Sequence, residues 1–198
     1  MADGRRAQAE RAARDAGLPI AVQRFLGRAA EGAARRFTVT YRGPGDGRTV
    51  LVQRPPERRI DVVGGVTTSS LLRLRRGSFS CRQGTAGWEC DRQAAGTSAA
   101  GPDPDLGVFS PAQINDTVVA LAAARTGYRF EVKAQRLAGT TATCLVTTKA
   151  DAAGPPDELC IADEGAVLRV RTSTRTLEAT AYKADVDPAA LRLPAQPR

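Results

Sequence analysis

The chain has no histidine, three lysines, one methionine and one tryptophan. Without histidine it lacks the side chain that most often carries protons at neutral pH, so a Ser-His-Asp or Cys-His unit is excluded. The same absence, together with cysteine spacings that are not CxxC-like, argues against a zinc site. Aromatic residues make up only 5%, so the interior is expected to be built mainly from Val, Leu, Ile and Ala. No apolar run is long enough to span a bilayer. Met1 to Gly17 carries Arg5, Arg6, Arg11 and Arg14 but no apolar core, so it does not read as a signal peptide. Phosphate-binding glycine loops are missing too. Gly43-Pro-Gly-Asp-Gly47 and Gly64-Gly65 do not lead from a strand into a helix. Catalysis is not expected, and no cofactor or metal is implied.

Basic charge is what the chain has in excess. Lys and Arg number 29 against 21 Asp and Glu, a net charge of +8, nearly all of the excess arginine. Such a surplus serves solubility, or attraction to anionic lipid or nucleic acid. Arg73, Arg75 and Arg76, with Arg58 and Arg59, form a candidate basic patch. Nucleic-acid binding on a sheet usually adds exposed aromatics. Phe79 and Trp88 read as core here, so nucleic acid is not an expected partner. Asp103 and Asp105 read as solvated loop acids, and Asp61 and Glu131 as outward partners for nearby arginines.

Four cysteines remain. Gly77 to Asp91 reads as a β-hairpin turning between Thr85 and Ala86, which sets Cys81 opposite Cys90. Centring a second turn on Ala152 sets Cys144 opposite Cys160. Directly opposed cysteines sit near the separation a disulfide accepts. Four cysteines allow three connectivities, so pairing Cys81 with Cys90 and Cys144 with Cys160 is an inference from register, with four reduced cysteines as the alternative. Two disulfides would place the protein in an oxidising compartment. With no signal in the sequence, an export or anchoring segment is expected to be missing upstream.

Residues 1–16 read as a frayed helix or a disordered stretch, within a flexible N-terminal segment at 1–17. From Leu18 a helix is predicted, with Val22, Phe25, Leu26, Ala29 and Ala33 on one face. Six strands joined by tight turns follow between Phe37 and Asp91. Gln93 to Gly107 reads as a mobile loop. Ser110-Pro-Ala-Gln113 carries the signs of a capped helix start, ahead of a stripe formed by Ile114, Val118, Leu121 and Ala122. Five further strands run from Tyr128 to Lys183, and Val186 to Leu191 closes with a short helical turn. Two helices cannot cover both faces of eleven strands. The expected fold is therefore α+β: a curved antiparallel open β-barrel of about eleven strands, with two main helices on its concave face, forming one domain over 18–194 and a tail at 195–198.

This order of elements resembles the lipoprotein-carrier fold of the LolA and RseB proteins, and is similar to the mycobacterial lipoproteins LppX and LprG. The likeness covers roughly 18–194. It rests on the helix running into Arg36-Phe-Thr-Val-Thr-Tyr41, the helix at 110–126, and the ending Tyr182 to Pro194. The resemblance implies an extracytoplasmic (cell-envelope or periplasmic-side), non-catalytic binding or carrier protein for a lipid or other hydrophobic ligand, or else a sensory or protein-interaction domain of the same fold. A membrane surface or an envelope protein is the further partner implied. On pattern alone, Val22, Phe25, Val39, Val118, Leu121 and Phe130 are the expected lining of a hydrophobic cavity, with the loop at 93–109 as its gate.

Overall fold

The structure is a computed structural model that describes residues 2–43, 45–65, 67–94, 106–151 and 154–198. Residues 95–105 of the expected gate at 93–109, with Asp103 and Asp105, and the turn centre Ala152 lie outside the described residues.

Alternation of apolar and polar side chains produces the strands. Phe37, Val39 and Tyr41 are fully buried on one face of β1 (Phe37–Arg42), while Thr38, Thr40 and Arg42 take the other. The remaining strands are β2 (Arg48–Arg54), β3 (Glu57–Gly64), β4 (Thr67–Leu74), β5 (Gly77–Gly84), β6 (Gly87–Gln93), β7 (Tyr128–Leu137), β8 (Thr140–Lys149), β9 (Asp157–Ile161), β10 (Val167–Arg171) and β11 (Thr176–Lys183). They form an eleven-stranded open antiparallel sheet in the order β6-β5-β4-β3-β2-β1-β11-β10-β9-β8-β7. This is the α+β class and strand number expected.

Among the described residues there are three α-helices, where two main ones were expected: α1 (Ala2–Asp15), α2 (Ile20–Glu31) and α3 (Pro111–Ala124). The segment expected to be flexible is α1. Ala9 and Ala13, one turn apart, are buried against α2, and Arg6 pairs with Glu10 at 2.9 Å. Gly27 of α2 makes the close approach possible, because a Cβ there would lie 2.6 Å from the Glu10 side chain. For α3, the Ser110 hydroxyl accepts from the Gln113 backbone, and the Gln113 side chain accepts from the Ser110 N–H at 2.8 Å. This is the capping box that the sequence predicts.

The chain divides into two compact units. The first joins Met1–Arg35 to Gly107–Ala179, and the second joins Arg36–Leu106 to Thr180–Arg198. In the first unit one apolar cluster gathers α1, α2 and α3 with side chains from β7 to β10. In the second, Leu72, Phe79, Cys81 and Cys90 form one cluster, and Val52, Val186 and Leu191 another. Each unit carries one disulfide in the expected register. Cys81 faces Cys90 and is bonded to it; Cys144 faces Cys160 and is bonded to it. No helix among the described residues is long and apolar enough to cross a membrane.

Candidate functional site

The structure brings five of the six expected cavity residues together. Val22 and Phe25 on α2, Val118 and Leu121 on α3, and Phe130 on β7 all join the apolar cluster of the first unit. The first four are 0%, 2%, 5% and 9% exposed, so they close on one another as packed core. The sixth, Val39, lies in the other unit and is also fully buried. A small cleft beside this cluster, lined by Ala9, Ala30, Phe109 and Ile114, measures about 30 Å³, the room of a single water.

The second unit contains a larger concavity of about 570 Å³. Register builds it. Thr38, Val52 and Arg59 are consecutive partners across β1, β2 and β3, so they share a face of the sheet. Val50 and Asp61 form the next row. The segment after β11 supplies the opposite wall with Lys183, Asp185, Asp187 and Ala190. Asp187 caps the 3-10 turn Pro188–Leu191 by accepting from the Ala189 N–H at 2.8 Å. The Thr38 hydroxyl donates to the Asp185 carbonyl at 3.2 Å, tying that wall to β1.

One charged group of the cleft is fixed. Arg59 donates to Asp61 at 2.7 Å, to the carbonyls of Ala190 and Arg192 at 3.2 Å each, and to the Ser70 hydroxyl at 3.4 Å. Ser70 in turn donates to Asp61. Asp61 therefore has the arginine partner expected of it. Glu131 is exposed and makes no ion pair among the described residues. Lys183, Asp185 and Asp187 are exposed at the mouth. The cleft thus combines an aliphatic floor with carboxylates and cations, and it holds no pair of groups arranged as nucleophile and base. Sequence reasoning missed it because its walls come from segments more than a hundred residues apart. The Asp187-Pro188 helix-start signal marked only one of them.

A buried polar network lies in the first unit, where the 8% exposed Glu158 accepts from Gln135 at 2.6 Å and from Arg169 at 3.1 Å. Burial alone pushes the Glu158 carboxyl up. Hydrogen bonds from Arg169 and Gln135, with the charges of Arg169 and Arg171, outweigh burial and hold it below the ordinary carboxylate value. Glu158 also lies close to Cys144 and Cys160. Both sulfurs are spent in the disulfide, so this trio has no thiolate to offer a metal.

No family model and no curated protein matches the chain. Among solved structures, one described as the crystal structure of MucB matches with a TM-score of 0.52 at 18% identity. The two share a fold. The match covers 85% of this chain and 61% of the MucB chain, so this chain spans about three fifths of its length. At that identity the likeness carries the LolA/RseB-like fold predicted from the order of elements, and not the narrower resemblance to LppX and LprG.

Proposed function

We propose that this chain is an extracytoplasmic, non-catalytic binding domain that engages a polypeptide segment rather than carrying free lipid. The packing of the first unit carries this reading. A carrier needs open space beside Val22, Phe25, Val118, Leu121 and Phe130; the burial of the first four in one apolar cluster supports a packed interior instead. Among the described residues, the second unit holds a cleft of about 570 Å³, within the range of about 300–1,000 Å³ typical of ligand sites. Its mixture of aliphatic groups, carboxylates and cations suits a backbone with donors and acceptors better than an acyl chain. A disulfide in each unit supports an oxidising compartment.

Native mass spectrometry with organic extraction, and titration with a fluorescent fatty acid, separate the two readings. The expected result is a ligand-free mass and no saturable fatty-acid uptake. On a random-peptide array the protein should find binders that Ala190→Trp, which fills the cleft, weakens at least tenfold. Co-purified lipid, or saturable uptake that Ala190→Trp leaves intact, would return the assignment to a carrier.

A further inference from the structure

Arginine is distributed unevenly over the second unit. The turns β2–β3 (Pro55-Pro56) and β4–β5 (Arg75-Arg76) and the last residues of β6 lie at one end of the strands. Arg54 stands at the first turn opposite Glu57. Arg73 is the register partner of Arg58 and of Ser78, and Arg92 is the partner of Phe79. Arg54, Arg73, Arg75, Arg76 and Arg92 are all exposed, and none forms an ion pair among the described residues. At the other end of the same strands, Arg82 faces Glu89, and Asp46 lies in the turn between Arg42 and Arg48. Glu89 pairs there with Arg198 at 2.8 Å, and although arginines still outnumber carboxylates at that end, the excess is smaller than at the rim.

The rim is also partly organised. The guanidiniums of Arg76 and Arg92 sit 5.6 and 5.5 Å from the centroid of the same Phe79 ring. That ring is 1% exposed and anchored in the cluster beside the disulfide. An aromatic face attracts cations, so Phe79 holds two like charges close together where repulsion would otherwise splay them. Arg58 is tied back by donating to the Leu106 carbonyl. Arg59 is drawn away to Asp61 on the cleft side.

We propose that this arginine rim is a docking surface for the phosphate headgroups of an anionic membrane. Guanidinium forks match phosphate oxygens in two-point contacts. Basic side chains near an anionic leaflet act additively and fade within a Debye length, so the contact is peripheral, reversible and salt-sensitive. Among the described residues the exposed tips carry prolines and arginines and no large apolar side chain, so none of these tips inserts into the hydrocarbon. Duplex and single-stranded nucleic acids share the phosphate chemistry. Among the described residues the rim offers no exposed aromatic ring for base stacking, because Phe79 is buried.

Co-sedimentation with vesicles of phosphatidylcholine and phosphatidylglycerol at 7:3, against pure phosphatidylcholine, tests this. Binding is expected only to the anionic vesicles at 0.1 M NaCl and is lost at 0.5 M. The triple variant Arg54→Ser, Arg73→Ser, Arg75→Ser leaves the Phe79 contacts intact, and its unfolding midpoint should match the parent. It should bind about 100-fold more weakly, from roughly a factor of five per arginine. Equal binding by variant and parent overturns the proposal. So does failure of the parent to bind anionic vesicles. Tighter binding to duplex DNA than to vesicles overturns it in favour of a nucleic-acid surface.

Discussion

Phe25→Ala decides whether the helices of the first unit enclose a core or a cavity. The Phe25 ring is 2% exposed and packs in the cluster with Leu26, Ile114, Val118 and Leu145. If those neighbours are in contact on all sides, deleting the ring removes its transfer free energy and leaves a void that a sheet and three helices cannot fully close. Such changes cost about 3–5 kcal/mol, against a total stability on the order of 5–15 kcal/mol for a domain. With a urea slope of about 2 kcal/mol per molar, the unfolding midpoint falls by roughly 2 M. Far-ultraviolet circular dichroism in urea, with both disulfides intact, measures this. Leu121→Ala, at 9% exposure, should lose about 2–4 kcal/mol in the same assay. If the ring instead faces open space kept for a ligand, its loss enlarges an existing void and breaks few contacts. A cost below about 1 kcal/mol for Phe25→Ala, together with new or tighter uptake of a fluorescent fatty acid, would refute the packed-core reasoning.

Other perturbations probe other supports of the fold. Glu158→Ala leaves the 13% exposed Arg169 side chain without its nearest carboxylate, and the loss should be about 3 kcal/mol. Glu178 at 3.4 Å keeps it at the low end of the range. Because the folded Glu158 carboxyl titrates below its unfolded value, its stabilisation is complete above about pH 5 and disappears as pH falls through the folded value. The acid-side decline in the urea midpoint should therefore be shallower in a Glu158→Gln, Arg169→Met double variant. Reduction should cost roughly 2.5 kcal/mol for Cys81–Cys90 and roughly 3 kcal/mol for Cys144–Cys160, in the order of their sequence separations of 9 and 16. Midpoints of the single Cys→Ser pairs check that order. Gly165→Ala is expected to lose at least about 2 kcal/mol, since Gly165 has a φ of +76° and a Cβ there would sit 2.5 Å from the Arg28 carbonyl. Thermal melting reads that loss directly.

The eleven strands were legible because period-2 alternation and glycine-rich turns fix register locally, and register then fixed both cysteine pairs. The start of α3 was legible because Ser110, Pro111 and Gln113 act on their own backbone. The packing of α1 was not legible, because its buried face is alanine and gives no contrast with the polar face. Only the gap at Gly27 on another helix reveals why it packs. Core and cavity could not be separated by sequence at all. Burial against protein and burial against an acyl chain reward the same apolar side chains at the same spacing.

The basic patch shows the most consequential limit of sequence, because consecutive strand residues point to opposite faces. Arg58 and Arg59 are neighbours near the start of β3 and point to opposite faces, so they cannot serve one patch. Arg59 turns toward Asp61, Ser70 and two carbonyls of the closing segment. Its charge is consumed in holding the wall of the cleft. Arg58 shares its row with Arg73 and bonds the carbonyl of Leu106. A net charge of +8 therefore mixes structural arginines, whose fields are answered locally, with unanswered ones at the turns. Only the second kind reaches a distant partner. The separation predicts opposite responses to neutralisation. Arg59→Met should lower stability through the unpaired Asp61 and leave vesicle binding unchanged, whereas Arg75→Ser should weaken vesicle binding and leave stability unchanged. Vesicle co-sedimentation and urea midpoints on the same two proteins measure both, and a variant that moved both quantities together would show that the rim and the cleft wall are not independent.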